Sequence, residues 1–204
     1  MNSTSFSKIR AYIVLTKPSI VALVVLTGLG GMFITAQGVP PWDILLVVTL
    51  GGGMTAGGAS VINHYMERDI DSLMSRTRKR PLPLGTISPI QALIVGIILN
   101  VIGFTVLLLG ANFLSAFLAL GASLFYILVY TGWLKRSTPQ NIVIGGASGA
   151  MPPLVAAAAV TGSIPLSALY LFGIIFFWTP PHFWALALYL KEDYAEARIP
   201  MLPV

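Results

Sequence analysis

The chain has 204 residues, 56% of them hydrophobic and 9% charged, with a mean hydropathy of +0.85. That composition excludes a soluble globular domain and points to a polytopic membrane protein. The net charge of +5 does not make a nucleic-acid surface, because the cations sit at the ends of apolar runs beside carboxylates, and the absence of Cys excludes disulfides, thiolate chemistry and Cys-ligated zinc.

A helix needs about 20 apolar residues to cross a hydrocarbon core of about 30 Å. Six runs meet that length: 19–36, 43–65, 88–110, 113–134, 142–161 and 166–190. They are too long and too uniformly apolar for transmembrane strands, which alternate. The sequence therefore predicts an all-α, polytopic transmembrane helical bundle. The first run is too long for a cleavable signal and no A-x-A site follows it, so it reads as an uncleaved first helix. Threaded through six spans, Lys8, Arg10, Lys17, Arg68, Arg76, Arg78, Lys79, Arg80, Lys135, Arg136, Lys191 and Arg198 all fall on one side. The opposite connections, around 37–42, 110–112 and 162–165, carry no Lys or Arg. The positive-inside rule then places both termini in the cytoplasm. The lack of a long Arg-rich presequence favours a bacterial plasma membrane over a mitochondrion.

Small residues mark helix contacts. Gly51, Gly52, Gly53, Gly57 and Gly58 lie in the second run, and Gly145, Gly146 and Gly149 in the fifth; packing is the favoured reading. Thr179-Pro180-Pro181-His182 is predicted to interrupt the sixth run, because proline removes helical hydrogen bonds. His182 is an ionisable group near the middle of an apolar run, which makes it a functional candidate against a plain packing role.

The stretch from Asn63 to Pro83 packs three carboxylates and five cations between two apolar runs. Asn63, Glu67 and Asp71 are spaced i, i+4, i+8 and share one helical face if the second helix continues that far. Two carboxylates and an amide oxygen suit Mg²⁺, which takes the rest of its shell from water and substrate phosphates. Asp69 points elsewhere, and His64 is expected at the interface. Arg76, Arg78, Lys79 and Arg80 follow. Arg presents a planar fork of donors to phosphate oxygens, and Arg76 and Arg80 would share a face at i, i+4. Attraction to anionic lipid is the competing explanation of these cations. Together, an acidic and then a basic cluster suggest a diphosphate handled at a membrane surface. Tyr126 and Tyr130 are also i, i+4; aromatic faces can stabilise a cation, although interface anchoring is favoured for Tyr130. A second polar cluster, Lys191-Glu192-Asp193-Tyr194, follows the sixth run and would face the same cavity.

These motifs resemble the UbiA-type membrane prenyltransferase superfamily, and within it the haem-farnesylating branch. Asn63-x-x-x-Glu67-x-x-x-Asp71 is similar to the family's first acidic motif, with Glu67 where many members have Asp. Met74-x-Arg76-Thr77-x-x-Arg80-Pro81-Leu82 is similar to the run that follows it in the haem branch. Leu15-Thr16-Lys17-Pro18 resembles the opening helix. Tyr130-Thr131-x-x-Leu134-Lys135-Arg136, Asn141-Ile142-Val143-Ile144-Gly145-Gly146 and Pro152-Pro153 resemble the central block. Pro181-His182-Phe183-Trp184, Lys191-x-Asp193-Tyr194 and Ile199-Pro200-Met201-Leu202-Pro203-Val204 resemble the second conserved region, which reads Lys-x-Asp-Tyr rather than paired aspartates. The resemblance covers nearly the whole chain. It implies one UbiA-type domain over 1–204. It also implies about nine spans of about 20 residues in a full member, so the chain is expected to be a C-terminally incomplete copy.

The activity implied is farnesyl transfer from farnesyl diphosphate to a vinyl group of haem B, giving haem O and diphosphate in haem A/O biosynthesis for terminal oxidases. Mg²⁺ on Asn63, Glu67 and Asp71 would neutralise the departing diphosphate. Arg76, Arg80, Lys191 and Asp193 would complete the catalytic set. Arg68, Tyr130, Lys135, Asn141, His182 and Tyr194 would contact substrate, with His182 assigned to haem. The implied partners are the lipid bilayer and haem A synthase. Three alternatives carry less weight: prenylation of an aromatic ring for quinone or chlorophyll synthesis, which paired aspartates at the second motif would favour; a small transporter, which would line its spans with ionisable residues; and a non-catalytic oxidase assembly protein, which loss of the acidic stripe would suggest.

Overall fold

In lipid every backbone polar group must be satisfied within its own segment, so each apolar run folds as a helix. The structure, a computed structural model, describes residues 3–202. A leading helix α1 (Ser3–Leu15) precedes α2 (Pro18–Ala36) and α3 (Trp42–Met66). A short helix α4 (Arg68–Leu73) follows, then α5 (Pro89–Gly110), α6 (Phe113–Ser137), α7 (Asn141–Thr161), α8 (Leu166–Tyr189) and the short α9 (Lys191–Glu196). Among the described residues there is no strand. The six long helices match the six predicted spans to within a few residues at every end. Their boundaries carry local signals. Pro18 and Pro89 occupy first-turn positions, where a missing N–H costs nothing. Asn112 caps α6 by accepting from the Ser115 N–H at 2.9 Å, and Gly162 ends α7 with φ 66°.

The helices α3 and α5 cross at a seam of small residues. A Cβ on Gly58 would sit 2.7 Å from the Gly96 carbonyl oxygen, and one on Gly103 would sit 2.6 Å from the Gly51 carbonyl oxygen. The packing role expected of Gly51 and Gly58 is what is found, with their partners supplied by α5. The most buried span is α7; it packs against α2, where Gly31 rests on Pro153, and against α6 and α8. The remaining apolar side chains, such as Leu109, Phe177 and Leu188, face outward, as lipid-facing surfaces do.

Two local features were not legible in the sequence. Val48–Gly52 in α3 and Phe125–Leu134 in α6 are wound as π-helix, and the Lys135 N–H donates to the Tyr130 carbonyl five residues back. Such turns insert an extra residue and re-aim the side chains that follow. One expectation is corrected: Thr179-Pro180-Pro181-His182 does not interrupt α8, which runs through it. The prolines leave the carbonyls of Phe176 and Phe177 without their helical donors. The helix persists because α8 lies close against α7 there: Thr179 sits over Gly146 and its hydroxyl donates to the Ile175 carbonyl at 2.7 Å.

Candidate active site

The cationic ends of α2, α3, α6 and α8 gather the polar side chains at one end of the bundle. Helix α3 stops at Glu67, whose φ of −95° and ψ of 6° leave the helical region, and α4 starts at once. The i→i−4 ladder nevertheless crosses the break. Glu67 N–H donates to the Asn63 carbonyl at 2.9 Å and Asp71 N–H to the Glu67 carbonyl at 2.8 Å. The predicted stripe therefore survives: Asn63, Glu67 and Asp71 are all at most 3% exposed. Asp69 points away, as expected, and pairs with Arg136 through two 2.8 Å bonds. That pairing holds the Asp69 carboxyl down to about 2.

Each member of the stripe has its own cation. Lys17 Nζ donates to Asn63 Oδ1 at 2.6 Å, while Asn63 Nδ2 donates to Thr131 Oγ1 at 3.0 Å. Lys135 Nζ donates to Glu67 Oε1 at 2.6 Å. Arg80 Nη1 donates to both oxygens of Asp71 at 2.8 Å. Burial pushes the Lys17 ammonium down to about 8, against the pull of Glu67. Burial alone would raise the Asp71 carboxyl; His64 and Arg80 beside it outweigh that and leave it below its ordinary value.

Lys17 was missed as a site residue because nothing near it in sequence is acidic. Its signal is a cation placed directly before the Pro that starts an apolar span. It also adopts φ 53°, an unusual conformation for a residue with a side chain. Thr131 and Thr77 were missed too; the Thr77 hydroxyl donates to the Asp71 carbonyl at 2.9 Å.

The second polar cluster does join the first. Asp193, at the start of α9, accepts from Ser75 Oγ at 2.6 Å, from Ser75 N at 3.1 Å and from Arg76 N at 3.3 Å. The Ser75 hydroxyl foremost holds its carboxyl below the ordinary range. Tyr194 packs against Ile70 and Met74 on one side and belongs, with Tyr130 and Ile142, to a neighbouring apolar cluster.

Several expectations change. Arg76 and Arg80 do not share a face, because 74–80 is a series of turns rather than a helix. Arg80 turns in to Asp71, and the Arg76 side chain is exposed with only its N–H engaged. Tyr130 is not an interface anchor: it stacks on Tyr126 at 5.5 Å and fills the space over Gly145 inside the bundle. His64 is 2% exposed rather than interfacial, with Nδ1 3.5 Å from Asp71 Oδ2, too long for a good hydrogen bond. Arg68 donates to the Tyr65 carbonyl at 2.6 Å and lies over the Tyr65 ring, on the exposed side. Asn141 ties the α7 N-terminus to the Pro200 carbonyl at 2.7 Å. His182 lies two-thirds along α8 and stacks on Trp178 at 4.2 Å, making no hydrogen bond to the polar cluster. Lys191 is exposed. Pro203 and Val204 lie outside the described residues.

The donor set suits a hard cation. Among the described residues no three His, Cys, Asp or Glu side chains converge to cage an ion by themselves. Mg²⁺ does not require that, since it takes one or two carboxylates from the protein and completes its shell from water and phosphate. Glu67, Asp71 and the Asn63 amide fit that demand.

The model of the UbiA prenyltransferase family matches residues 24–204. The chain belongs to this family. Curated relatives support the UbiA assignment. The Symbiobacterium thermophilum protein named protoheme IX farnesyltransferase is 53% identical over 96% of this chain and 65% of its own length. The Pseudomonas putida protein named protoheme IX farnesyltransferase 1 is 52% identical over 96% of this chain and 66% of its own. The chain thus spans about two-thirds of the length of these relatives. Solved UbiA-fold structures superpose along it. A digeranylgeranylglyceryl phosphate synthase gives a TM-score of 0.80 at 21% identity, covering 97% of this chain and 68% of that one. A UbiA homologue from Archaeoglobus fulgidus, bound to DMAPP and Mg²⁺, gives 0.76 at 19% identity, covering 95% and 68%. The protein is an integral membrane protein of the UbiA fold.

Proposed function

We propose that this chain carries out farnesyl transfer from farnesyl diphosphate to a vinyl group of protohaem IX (haem B), giving haem O and diphosphate. The observation that carries the proposal is the buried oxygen stripe, Asn63, Glu67 and Asp71, each paired with a cation at one end of an apolar bundle. That arrangement suits a substrate with a diphosphate head and a lipid tail. The name shared by relatives 52–53% identical supports haem as the acceptor.

The C1–O bond of farnesyl diphosphate breaks with its electron pair leaving on diphosphate. The vinyl π-electrons form the new C–C bond, and water captures the resulting cation and loses a proton. Asn63, Glu67 and Asp71 would hold Mg²⁺, which when bound would supply charge neutralisation for the leaving diphosphate. Arg80, Lys135 and Lys17 donate to its oxygens, and such aimed donors stabilise charge as it develops. Arg76, Lys191 and Arg68, all exposed at the same end, collect the anionic head. Asp193 holds the 75–76 turn in place, and Tyr130 with Tyr194 offers ring faces to the allylic cation. Asn141 sets the start of α7, and His182 contacts haem. The twelve Lys and Arg face the cytoplasm of a bacterial inner membrane, and haem A synthase receives the product.

The test is direct: the chain in membranes with haem B, farnesyl diphosphate and Mg²⁺ yields haem O by mass spectrometry, and Glu67→Gln/Asp71→Asn does not. Farnesylation of an aromatic ring with none of haem would replace the acceptor. Haem binding unchanged in His182→Ala would remove that residue's role.

A further inference from the structure

The three oxygen side chains of the stripe are claimed by three cations from three separate elements. Lys17 precedes α2, Lys135 lies in the last turn of α6, and Arg80 sits in the turns after α4. The Lys135 and Arg80 side chains are only 15% and 21% exposed. The amide of Asn63 is fixed from its other end by Thr131, so Oδ1 is the atom left to face Lys17. Lys17 reaches it from a backbone conformation that glycine or asparagine adopts more readily, which argues that the position exists for its side chain. Asp69 and Arg136 show the contrast. Their pair lies in the open, at 61% and 39% exposure, and touches none of the stripe.

A divalent ion that takes these oxygens must displace the cations. Freed in a secluded site, a Lys or Arg is an unpaired buried charge, which is strongly unfavourable. A diphosphate removes that obstacle, because its oxygens accept from the same donors. We propose that Lys17, Lys135 and Arg80 are placeholders on the ligand oxygens, and that a divalent ion enters only when a prenyl diphosphate draws those cations onto itself. The inference rests on the prenyltransferase reading. The exchange is one of partners: three oxygen-bearing side chains pass from cations to metal, and three cations pass from those side chains to phosphate. By linkage, metal and diphosphate then tighten each other's binding by one common factor. The arrangement guards against a stray divalent ion resting in the site, and against a diphosphate bound without its metal.

The experiment uses the chain in lipid nanodiscs, with Mn²⁺ as probe read by loss of its free-ion resonance signal, and farnesyl thiolodiphosphate as an analogue that does not ionise readily. Mn²⁺ mixed with analogue alone is subtracted. The expected result is Mn²⁺ binding about tenfold or more tighter with analogue than without, and analogue binding tightened equally by Mn²⁺. Lys135→Gln frees Glu67, so Mn²⁺ binds tighter without analogue and the coupling shrinks. Lys17→Gln frees Asn63 and does the same from another helix, should the first variant fold poorly. Analogue that binds with no change in Mn²⁺ affinity overturns the exchange alone. So does Mn²⁺ binding that weakens in both variants. Analogue that binds under neither condition overturns the prenyltransferase reading and the exchange together.

Discussion

Asp71 is 2% exposed and its charge is met by Arg80. Removing one member of a buried ion pair leaves the other uncompensated, at a cost of about 3 kcal/mol. Arg80→Ala is therefore expected to lower the thermal unfolding midpoint measurably, and Arg80→Lys to recover part of the loss; equal midpoints for all three would refute the pairing. Glu67→Gln keeps the shape and hydrogen bonding but removes a carboxylate, and should cut haem O formation by about 100-fold, the scale of losing one charge-stabilising group. Asp193 offers a pH dependence. Its carboxyl lies below the ordinary value, so its contribution is full above the unfolded pKa of about 3.9 and fades as pH falls through the folded value. Hydrogen exchange at 75–76 should stay slow from neutral pH down to about 4 and then quicken, relative to intrinsic rates. Asp193→Asn should show the quicker exchange already at neutral pH.

Among the elements, the α3–α5 seam is the most demanding contact. Gly103 faces backbone atoms of Gly51 and Thr55, which cannot swing aside as a side chain tip would. Gly103→Val must force the helices apart, costing on the order of 2 kcal/mol or more. A lower unfolding midpoint would be the sign, and an unchanged one would mean the crossing is looser than it looks. The six spans were legible because apolar run length and loop charge are local properties. The seam was half legible: Gly51 and Gly58 announce a contact, but sequence alone does not say that Gly96 and Gly103 receive it. The stripe was legible as spacing and survives the helix break at Glu67, since the i→i−4 bonds continue across it. The turns at 74–80 were not. An i, i+4 pair implies a shared face only inside a helix, and Pro81 and Pro83 close behind disfavour one. Lys17, Thr131 and Lys135 converge on the stripe from far along the chain, partly through the π-wound turns of α6, and no local pattern encodes that convergence.

For the molecule as a whole, every Lys and Arg lies on one side of the membrane under the six-span threading. The chain has no Cys, so single introduced thiols report topology without background. A membrane-impermeant maleimide should label Ser163→Cys in intact cells and Lys79→Cys only after the cytoplasmic face is opened. The reverse pattern would invert the orientation proposed here. The fold class needed only composition and run length; the proposed acceptor rests on motif resemblance and on the relatives' shared name, because the surfaces facing lipid are apolar in any such bundle.

The partner of Glu67 lies 68 residues downstream of it. At a synthesis rate of about 5–20 residues per second, that separation is several seconds of translation. A nascent chain that has inserted α3 and emerged past Arg80 has partners for Asn63 and Asp71, but Glu67 stays at the membrane edge without Lys135 until α6 is made. Glu67 is therefore expected to stay hydrated until α6 arrives. Ribosome-stalled chains ending shortly after α5 should therefore leave a cysteine placed at Glu67 open to thiol reagents, and chains stalled after α7 should protect it.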